Sequence, residues 1–259
     1  MRFHIVTLFP KAFDSYLGES IVKRAIEDGK IAVKFYNPRD FADNKWRRID
    51  RAPYGGGPGM VIQAEPVIRA IEKAFFVIHS KVLKNFGMKK TSVKAKKLLA
   101  TSHKLSPIIW LTPSGKQFTN EYARKVAKRH SNIIIVCGRY EGIDARVKKV
   151  FQNTTRITNG KRMTRIGVEE ISVGPFVLTG GELPAMVMID AIARQVQGVL
   201  GNEGSREEER VASPDVYTRP EVFEYKKKRY RVPKVLLTGH HRKIEEWRAS
   251  VIKRRRPHI

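Results

Sequence analysis

An apolar segment followed directly by a glycine-containing loop occupies residues 132–144, whose sequence is NIIIVCGRYEGID. Four consecutive β-branched residues, 133–136, leave no polar face, which is typical of a strand in a parallel sheet covered by helices on both sides. The loop at 137–144 then places two glycines among polar and charged residues. In open α/β sheets, loops at the carboxyl ends of strands form the ligand crevice. This segment therefore predicts an α/β fold with a ligand site at its strand ends.

The same alternation of apolar runs and helical periodicity continues along most of the chain. It indicates an α/β domain whose sheet is mainly parallel, with helices on both faces. The predicted strands are 3–8, 31–35, 108–111, 133–137 and 171–178. The predicted helices are 11–28, 64–74, 120–128, 143–150 and 184–199.

Three further loops concentrate glycine: 54–60 (YGGGPGM), 111–115 (LTPSG) and 174–184 (GPFVLTGGELP). Neither a P-loop nor a G-x-G-x-x-G turn is present, which disfavours nucleoside triphosphatases and ordinary dinucleotide enzymes. Glycine lets the backbone approach a ligand closely. We therefore expect a ligand recognised by shape and main-chain hydrogen bonds, such as an adenosine moiety.

The composition restricts the class of partner. The chain has 259 residues and a net charge of +26, which predicts a polyanionic partner such as nucleic acid. A general bias of the source proteome towards lysine is the alternative explanation. The single cysteine, Cys137, excludes an internal disulfide and a multi-cysteine zinc site and fits a reducing cytoplasm. Because no apolar stretch is long enough to span a bilayer, we predict a cytoplasmic protein without a membrane partner.

Two basic segments stand out. Residues 79–104 contain eight lysines and no acidic residue. They fit an RNA-facing insertion and a solvated helical hairpin equally well, since charged runs are commonly passive surface. A second basic run, KKKR, lies at 226–229.

A polar stretch without hydrophobic periodicity follows residue 199. It predicts a flexible linker between two domains. The predicted division is a domain at 1–199, a linker at 200–213 and a small domain at 214–259, with a helix near 241–252 and a basic end at 253–256.

Seven motifs together resemble the bacterial tRNA (guanine-N1)-methyltransferases of the TrmD type, which belong to the knotted SPOUT methyltransferases. The motifs are LFP (8–10), PRDF (38–41), YGGGPGM (54–60), CGRYEGID (137–144), GGELPAM (180–186), YTRPEV (217–222) and LLTG (236–239). The resemblance implies a deep trefoil knot near the end of the α/β domain, then a small helical tRNA-binding domain that is shorter here than usual. It also implies a homodimer with the active site between subunits. The implied activity is methylation of N1 of guanosine 37 in tRNA, when residue 36 is also guanosine, which supports reading-frame maintenance.

Carried over position by position, the resemblance assigns a binding site for the methyl donor, S-adenosyl-L-methionine. Its residues would be Leu111, Thr112, Pro113, Gly138, Tyr140, Val173, Gly174, Leu178, Gly180, Gly181 and Pro184. The guanine edge would be held by Glu141, whose carboxylate can accept from N1–H and the exocyclic amine. The guanine pocket would be closed by Asp50, Tyr54, Gly59 and Met60.

The resemblance also assigns the catalytic residues. Arg194 would stabilise the negative charge that develops on guanine O6, a role like that of an oxyanion-hole donor. Without the resemblance, Arg194 would be interpreted as an arginine serving the last carbonyls of its helix. The family's base is an aspartate in the linker, where this chain has Glu209; Glu208 is the alternative. The family is associated with Mg²⁺, but the sequence shows no dedicated metal site.

Two rival hypotheses remain open. One is a knotted methyltransferase that acts on another RNA base, against which Glu141 and the YGGGPGM loop speak. The other is a tRNA-binding homologue that has lost its base, which the glutamate at position 209 favours.

Overall fold

The structure, a computed structural model, describes residues 1–85, 106–152, 156–158, 161–163, 167–201 and 215–255. Most of the basic segment 79–104 and both candidate bases, Glu208 and Glu209, lie outside the described residues. The chain divides into two compact units, Met1–Val199 and Leu200–Ile259. The linker boundaries remain a prediction, because 202–214 lies outside the described residues as well.

The strands alternate with helices along unit 1, and unit 2 adds a short hairpin. In chain order the strands are β1 (Arg2–Val6), β2 (Ala32–Tyr36), β3 (Asp50–Arg51), β4 (Val61–Ile62), β5 (Ile108–Gln117), β6 (Asn132–Val136), β7 (Arg156–Thr158), β8 (Lys161–Met163), β9 (Val168–Ser172), β10 (Val222–Tyr225) and β11 (Lys228–Arg231). The helices are α1 (Asp14–Leu17), α2 (Ser20–Glu27), α3 (Ala64–Asn85), α4 (Asn120–Arg129), α5 (Arg146–Gln152), α6 (Glu182–Ala193) and α7 (His241–Arg255).

Five strands form the central sheet, in the order β2-β1-β6-β5-β9, and all its pairings are parallel. The apolar run in β6 is buried on both sides, because successive side chains of a strand point to opposite faces. Ile133 and Ile135 enter one core cluster together with residues of α2, α4 and α6. Ile134 and Val136 enter the other, with residues of α3 and α5. The predicted α/β fold with helices on both faces is thus confirmed.

Several predicted boundaries are wrong. The strand predicted at 171–178 ends at Ser172, whose hydroxyl donates to the Gly174 carbonyl at 2.8 Å and so replaces the ladder with a local turn. The helix predicted at 11–28 is divided into a 3-10 turn at Pro10–Phe13 and two helices separated at Gly18. The helix predicted at 184–199 ends at Ala193.

Unit 2 contains the predicted carboxyl-terminal helix, α7, and an element that the prediction of a small helical domain did not include. Strands β10 and β11 pair antiparallel across a two-residue turn. Across the part of the chain that the structure describes, no helix is both long and apolar enough to cross a membrane.

A buried histidine in β1 predicts acid sensitivity of the fold. His4 is 3% exposed and its Nδ1 lies 2.8 Å from the Tyr36 hydroxyl. Burial lowers the pKa of His4 from 6.5 to about 4. Between these values only the unfolded chain takes up the proton, so the free energy of unfolding decreases as the pH is lowered from 6.5 to 4, by about 3 kcal/mol in total. Above pH 6.5 the imidazole is neutral in both states and its contribution is complete.

Urea unfolding at pH 7.5 and pH 4.5, for the wild-type protein and His4→Gln, measures this contribution. We expect the variant to lose less stability on acidification than the wild type. Equal losses in the two proteins would contradict the assignment.

Candidate functional site

A cavity of about 310 Å³ lies at the carboxyl ends of β5, β6 and β9, within unit 1. Its position is the one expected for a ligand site in an open parallel sheet, and its size suits a small organic ligand. Ten of the eleven residues predicted to hold the methyl donor line it: Leu111, Thr112, Pro113, Gly138, Tyr140, Val173, Leu178, Gly180, Gly181 and Pro184.

The eleventh predicted residue, Gly174, supports the cavity wall without lining it. A Cβ at this position would clash with the Phe176 ring. Phe176 itself lines the cavity and is 52% exposed. Gly174 therefore leaves room for Phe176, a wall residue that was not predicted.

The loop that follows β6 and the loop that precedes α6 pack directly against each other through their main chains. The Gly181 N–H donates to the Gly138 carbonyl at 2.9 Å, and Arg139 forms an isolated antiparallel bridge with Gly180. A Cβ on Gly181 would lie 2.6 Å from the Cys137 Cα. Only glycine at position 181 permits this approach, which joins two walls of the cavity.

A buried carboxylate connects these loops to β1. Glu182, at the start of α6, is 3% exposed. Its Oε1 accepts from the Thr7 hydroxyl at 2.7 Å, and its Oε2 accepts from Arg139 Nε at 3.0 Å. Arg139 also donates to the Thr179 carbonyl at 3.2 Å, and its guanidinium lies 4.6 Å from the Phe9 ring centroid. These contacts hold three loops of the site in one arrangement.

Arg139→Ala is expected to destabilise the protein and weaken donor binding together. It leaves the Glu182 carboxylate buried without its cationic partner, which costs about 3 kcal/mol when both partners are buried. Because the Arg139 side chain is 26% exposed, we expect a loss nearer to about 2 kcal/mol. Urea unfolding and calorimetric titration with S-adenosyl-L-methionine measure the two effects.

Arg146→Ala is the matched control. Its ion pair with Asp144 holds the pKa of that carboxyl below its usual range, but the Arg146 side chain is 70% exposed. An exposed pair contributes under about 1 kcal/mol. Equal losses in Arg139→Ala and Arg146→Ala would overturn the role assigned to the buried carboxylate.

The loop predicted to close the guanine pocket lies against Glu141. The Glu141 N–H donates to the Met60 carbonyl at 3.0 Å, and Glu141 lines the cavity. Gly59 has a φ of 86°, and a Cβ there would lie 2.5 Å from Glu141 Oε1. The carboxylate thus packs on bare backbone, which explains the glycine at position 59.

Asp50 and Tyr54 are more remote from the cavity. Asp50 pairs with Ile62 at the base of the β3–β4 ribbon, and the Ile62 N–H donates to the Gly142 carbonyl at 3.0 Å. The ribbon is therefore attached to the Glu141 loop. Tyr54 is fully exposed. Neither residue lines the cavity of this chain.

Tyr140 combines exposure with a strained backbone. Its φ is 58° and it is 52% exposed at the cavity wall. A non-glycine residue in the left-handed region costs about 1 kcal/mol or more, and such residues cluster at ligand sites. The strained conformation of Tyr140 therefore lies at the wall of the candidate ligand site.

Arg194 is the predicted catalytic residue that the structure places away from the cavity. It caps the carboxyl end of α6, where its N–H donates to the Asp190 carbonyl at 3.1 Å. Burial and Asp190 raise the pKa of the nearby Tyr16, and Arg194 acts in the opposite direction. Arg194 does not line the cavity of its own chain. The other predicted catalytic residues, Glu209 and Glu208, lie outside the described residues.

Part of the site leaves no local signal in the sequence. Arg139 and Glu182 stand within the quoted motifs CGRYEGID and GGELPAM, but their pairing is long-range and gives no local signal. Thr7 was placed inside the predicted strand 3–8, but β1 ends at Val6, so Thr7 lies in the loop that follows it. Within the described ranges, no group of three or more His, Cys, Asp or Glu side chains could hold a metal ion.

Comparison with known proteins gives whole-chain matches. A profile described as tRNA (Guanine-1)-methyltransferase TrmD matches residues 1–258. A protein of Clostridioides difficile is 41% identical over 254 residues, covering 96% of this chain and 90% of the relative. One from Geobacter sulfurreducens is 41% identical over 252 residues, covering 96% and 84%. One from Dehalococcoides mccartyi is 38% identical over 259 residues, covering 98% and 87%. All three are named tRNA (guanine-N(1)-)-methyltransferase.

Proposed function

This chain belongs to the TrmD family of tRNA (guanine-1)-methyltransferases, and from that premise we propose how its residues carry out the reaction. The enzyme transfers the methyl group of S-adenosyl-L-methionine to N1 of a guanosine in tRNA. We assign the target to guanosine 37, in tRNAs that also have guanosine at 36. We further propose that it works in the cytoplasm and has no dedicated protein site for Mg²⁺.

The proposal rests on one observation: the strand-end loops assigned to the methyl donor and the carboxylate assigned to guanine, Glu141, line the same cavity. Backbone-rich loops at the ends of β5, β6 and β9 form most of its wall, and Glu141 is the carboxylate at the same wall. Gly138 and Gly180 put backbone without a side chain at the cavity wall, which leaves room for an adenosine moiety, while Leu111 and Leu178 offer apolar contact. These residues fit S-adenosyl-L-methionine, which supplies an electrophilic methyl group when bound.

Glu141 gives the site its preference for guanine. A carboxylate accepts hydrogen bonds from both N1–H and the exocyclic amine of guanine, a pair of donors that adenine lacks on that edge. The main chain of Glu141 is bonded to Met60 and its carboxylate lies beside Gly59, which places the side chain next to the loop assigned to the guanine pocket. The bond from the exocyclic amine to Glu141 would keep the base in place once N1 has given its proton to the catalytic base.

Methyl transfer requires a base for the N1 proton and a cation for the charge that develops on O6. We propose that Glu209 accepts the proton, with Glu208 as the neighbouring carboxylate. Arg194 stabilises O6, because a fixed donor aimed at developing charge lowers the barrier. The bond to N1 forms as the bond from the methyl carbon to sulfur breaks, and the proton leaves with the carboxylate.

A second copy of the chain would bring Arg194 to the reaction. Helix α6 exposes Leu183 and Val187, at 56% and 50%. These positions are four residues apart on one face, which Asp190 and Arg194 continue at helical spacing. We propose that the partner subunit of a homodimer covers this face, so that Arg194 of the partner subunit completes each cavity.

Transfer of a labelled methyl group from S-adenosyl-L-methionine to tRNA transcripts tests the function. We expect incorporation into a transcript with guanosine at 36 and 37, and 1-methylguanosine as the product on nucleoside mass spectrometry. Transcripts with adenosine at 36 or at 37 serve as matched controls and should accept far less label.

Two results would contradict the proposal. A different methylated nucleoside would identify another target base. Binding of both S-adenosyl-L-methionine and tRNA without transfer would identify a non-catalytic tRNA-binding protein.

A further inference from the structure

The hairpin of β10 and β11 has an exposed aromatic face. Phe223 stands opposite Tyr230, and Tyr225 stands opposite Lys228. Residues directly opposite each other, and residues two apart along a strand, share one face of an antiparallel pair. The three rings are therefore on the same side, and they are 55%, 41% and 58% exposed for Phe223, Tyr230 and Tyr225.

The rings are arranged as a short stack edged by lysines. The Phe223 and Tyr230 centroids are 5.2 Å apart with an interplanar angle of 13°. Lys226 Nζ lies 5.5 Å from the Tyr225 centroid, and Lys228 Nζ lies 5.6 Å from the Tyr230 centroid. Such exposed cation–π contacts are weak, so the ammonium groups can exchange a ring for a stronger anionic partner.

The turn carries lysines that its backbone does not favour. Lys226 and Lys227 have φ values of 49° and 62°, as a two-residue type I′ turn requires. Asn-Gly is the preferred pair there, and lysine at such positions is strained. Local strain of this kind is typical of binding sites. The side-chain charge therefore explains the residues at this turn better than the turn geometry does.

The charge of the hairpin is strongly one-sided. Residues 222–231 contain five basic residues and one acidic residue, Glu224, which lies 4.0 Å from Arg229. An anionic partner explains the cations but not the exposed rings. Unpaired RNA explains both, because each nucleotide offers a phosphate and a flat base that can stack on an aromatic side chain. A duplex leaves no base face free for the rings.

We propose that the β10–β11 hairpin binds unpaired nucleotides of the RNA substrate. Bases extend the Phe223–Tyr230 stack, and Lys226 and Lys227 contact the phosphates. This inference rests on the proposed function for the identity of the RNA as tRNA.

Filter binding of unmodified tRNA, without S-adenosyl-L-methionine and across a salt series, tests the lysines. The variant is Lys226→Asn/Lys227→Gly, which installs the favoured turn pair and so keeps the hairpin folded. We expect weaker binding and a salt slope smaller in magnitude by about 1.5, since each lost phosphate contact removes about 0.7–0.9. Lys23→Gln/Lys125→Gln removes the same charge from exposed positions on α2 and α4 and should leave the slope unchanged.

Phe223→Ala tests the stacking. We expect about tenfold weaker binding to tRNA and to a single-stranded oligonucleotide, with an unchanged salt slope. Phe223→Tyr should retain wild-type affinity, and binding of a fully duplex RNA should be little affected by either change.

Unchanged affinity and slope in both the lysine and the aromatic variants would overturn the proposal. An effect of the lysines alone, or an equal loss with duplex RNA, would overturn the assignment to unpaired nucleotides. Because RNA binding is measured without the methyl donor, these outcomes are separate from the methyl-transfer assay. A protein that binds tRNA through the hairpin and transfers no methyl group would contradict the proposed function alone.

Discussion

Glu209→Gln is expected to lower kcat for methyl transfer by about 10²–10⁴-fold, the range typical of losing a positioned general base. Glutamine has nearly the same shape as glutamate but cannot accept the N1 proton as a carboxylate does. The measurement is single-turnover methyl transfer with saturating tRNA and S-adenosyl-L-methionine, which isolates the chemical step from product release.

Glu208→Gln is the matched control, because it makes the same change one residue earlier in the Glu207–Glu209 run. We expect it to retain most of the wild-type rate. A larger loss in Glu208→Gln than in Glu209→Gln would move the base to Glu208. Near wild-type rates in both single variants would contradict a carboxylate base at either position.

Arg194→Ala is expected to lower kcat by about 10²–10³-fold, as the removal of one donor to a developing oxyanion does. Arg194→Lys should recover part of the loss, because it keeps the charge but not the planar fork of donors. If Arg194 served only the last carbonyls of α6, both variants would lose thermal stability and keep their rate. Melting temperature measured beside the single-turnover rate separates these outcomes.

Mixing of inactive subunits tests whether Arg194 acts across the proposed dimer. Protomers with Arg194→Ala and with Glu141→Ala, refolded or exchanged together, would form dimers in which one of the two sites has both residues intact. Random pairing then predicts recovery of about one quarter of the wild-type activity. No recovery on mixing would mean that Arg194 and Glu141 act from the same chain.

Local pattern was sufficient to predict the sheet and the edge of it at which the cavity lies, while the resemblance supplied the individual donor residues. The uninterrupted run Ile133–Val136 required a strand buried on both faces, and its residues do divide between the two core clusters. Parallel strands end at a common edge, so glycine-rich loops that follow them meet there. This is why ten of eleven donor residues assigned through the resemblance line a single cavity.

Contacts between residues far apart in the sequence, and changes caused by a single side chain, could not be predicted from local pattern. The Thr7–Glu182 hydrogen bond joins residues 175 positions apart, and no periodicity reports such a contact. The end of β9 depends on one hydroxyl, that of Ser172, which bonds to the backbone two residues later. The β10–β11 hairpin escaped prediction because its turn is Lys226–Lys227, where hairpin signals require asparagine or glycine.

The position of Arg194 illustrates a third limit. Its helix was predicted to extend to residue 199, but α6 ends at Ala193 and Arg194 caps it. A sequence assigns a residue to a helix face, whereas a site built by two copies depends on an interface that one chain does not contain.

A crystal structure of the protein with S-adenosylhomocysteine most directly tests the claim that the strand-end loops hold the methyl donor. We predict density for the adenosine between the loops 111–113, 138–140 and 178–184, with the sulfur directed towards Glu141. Ligand density elsewhere on unit 1, with this cavity filled only by solvent, would contradict it.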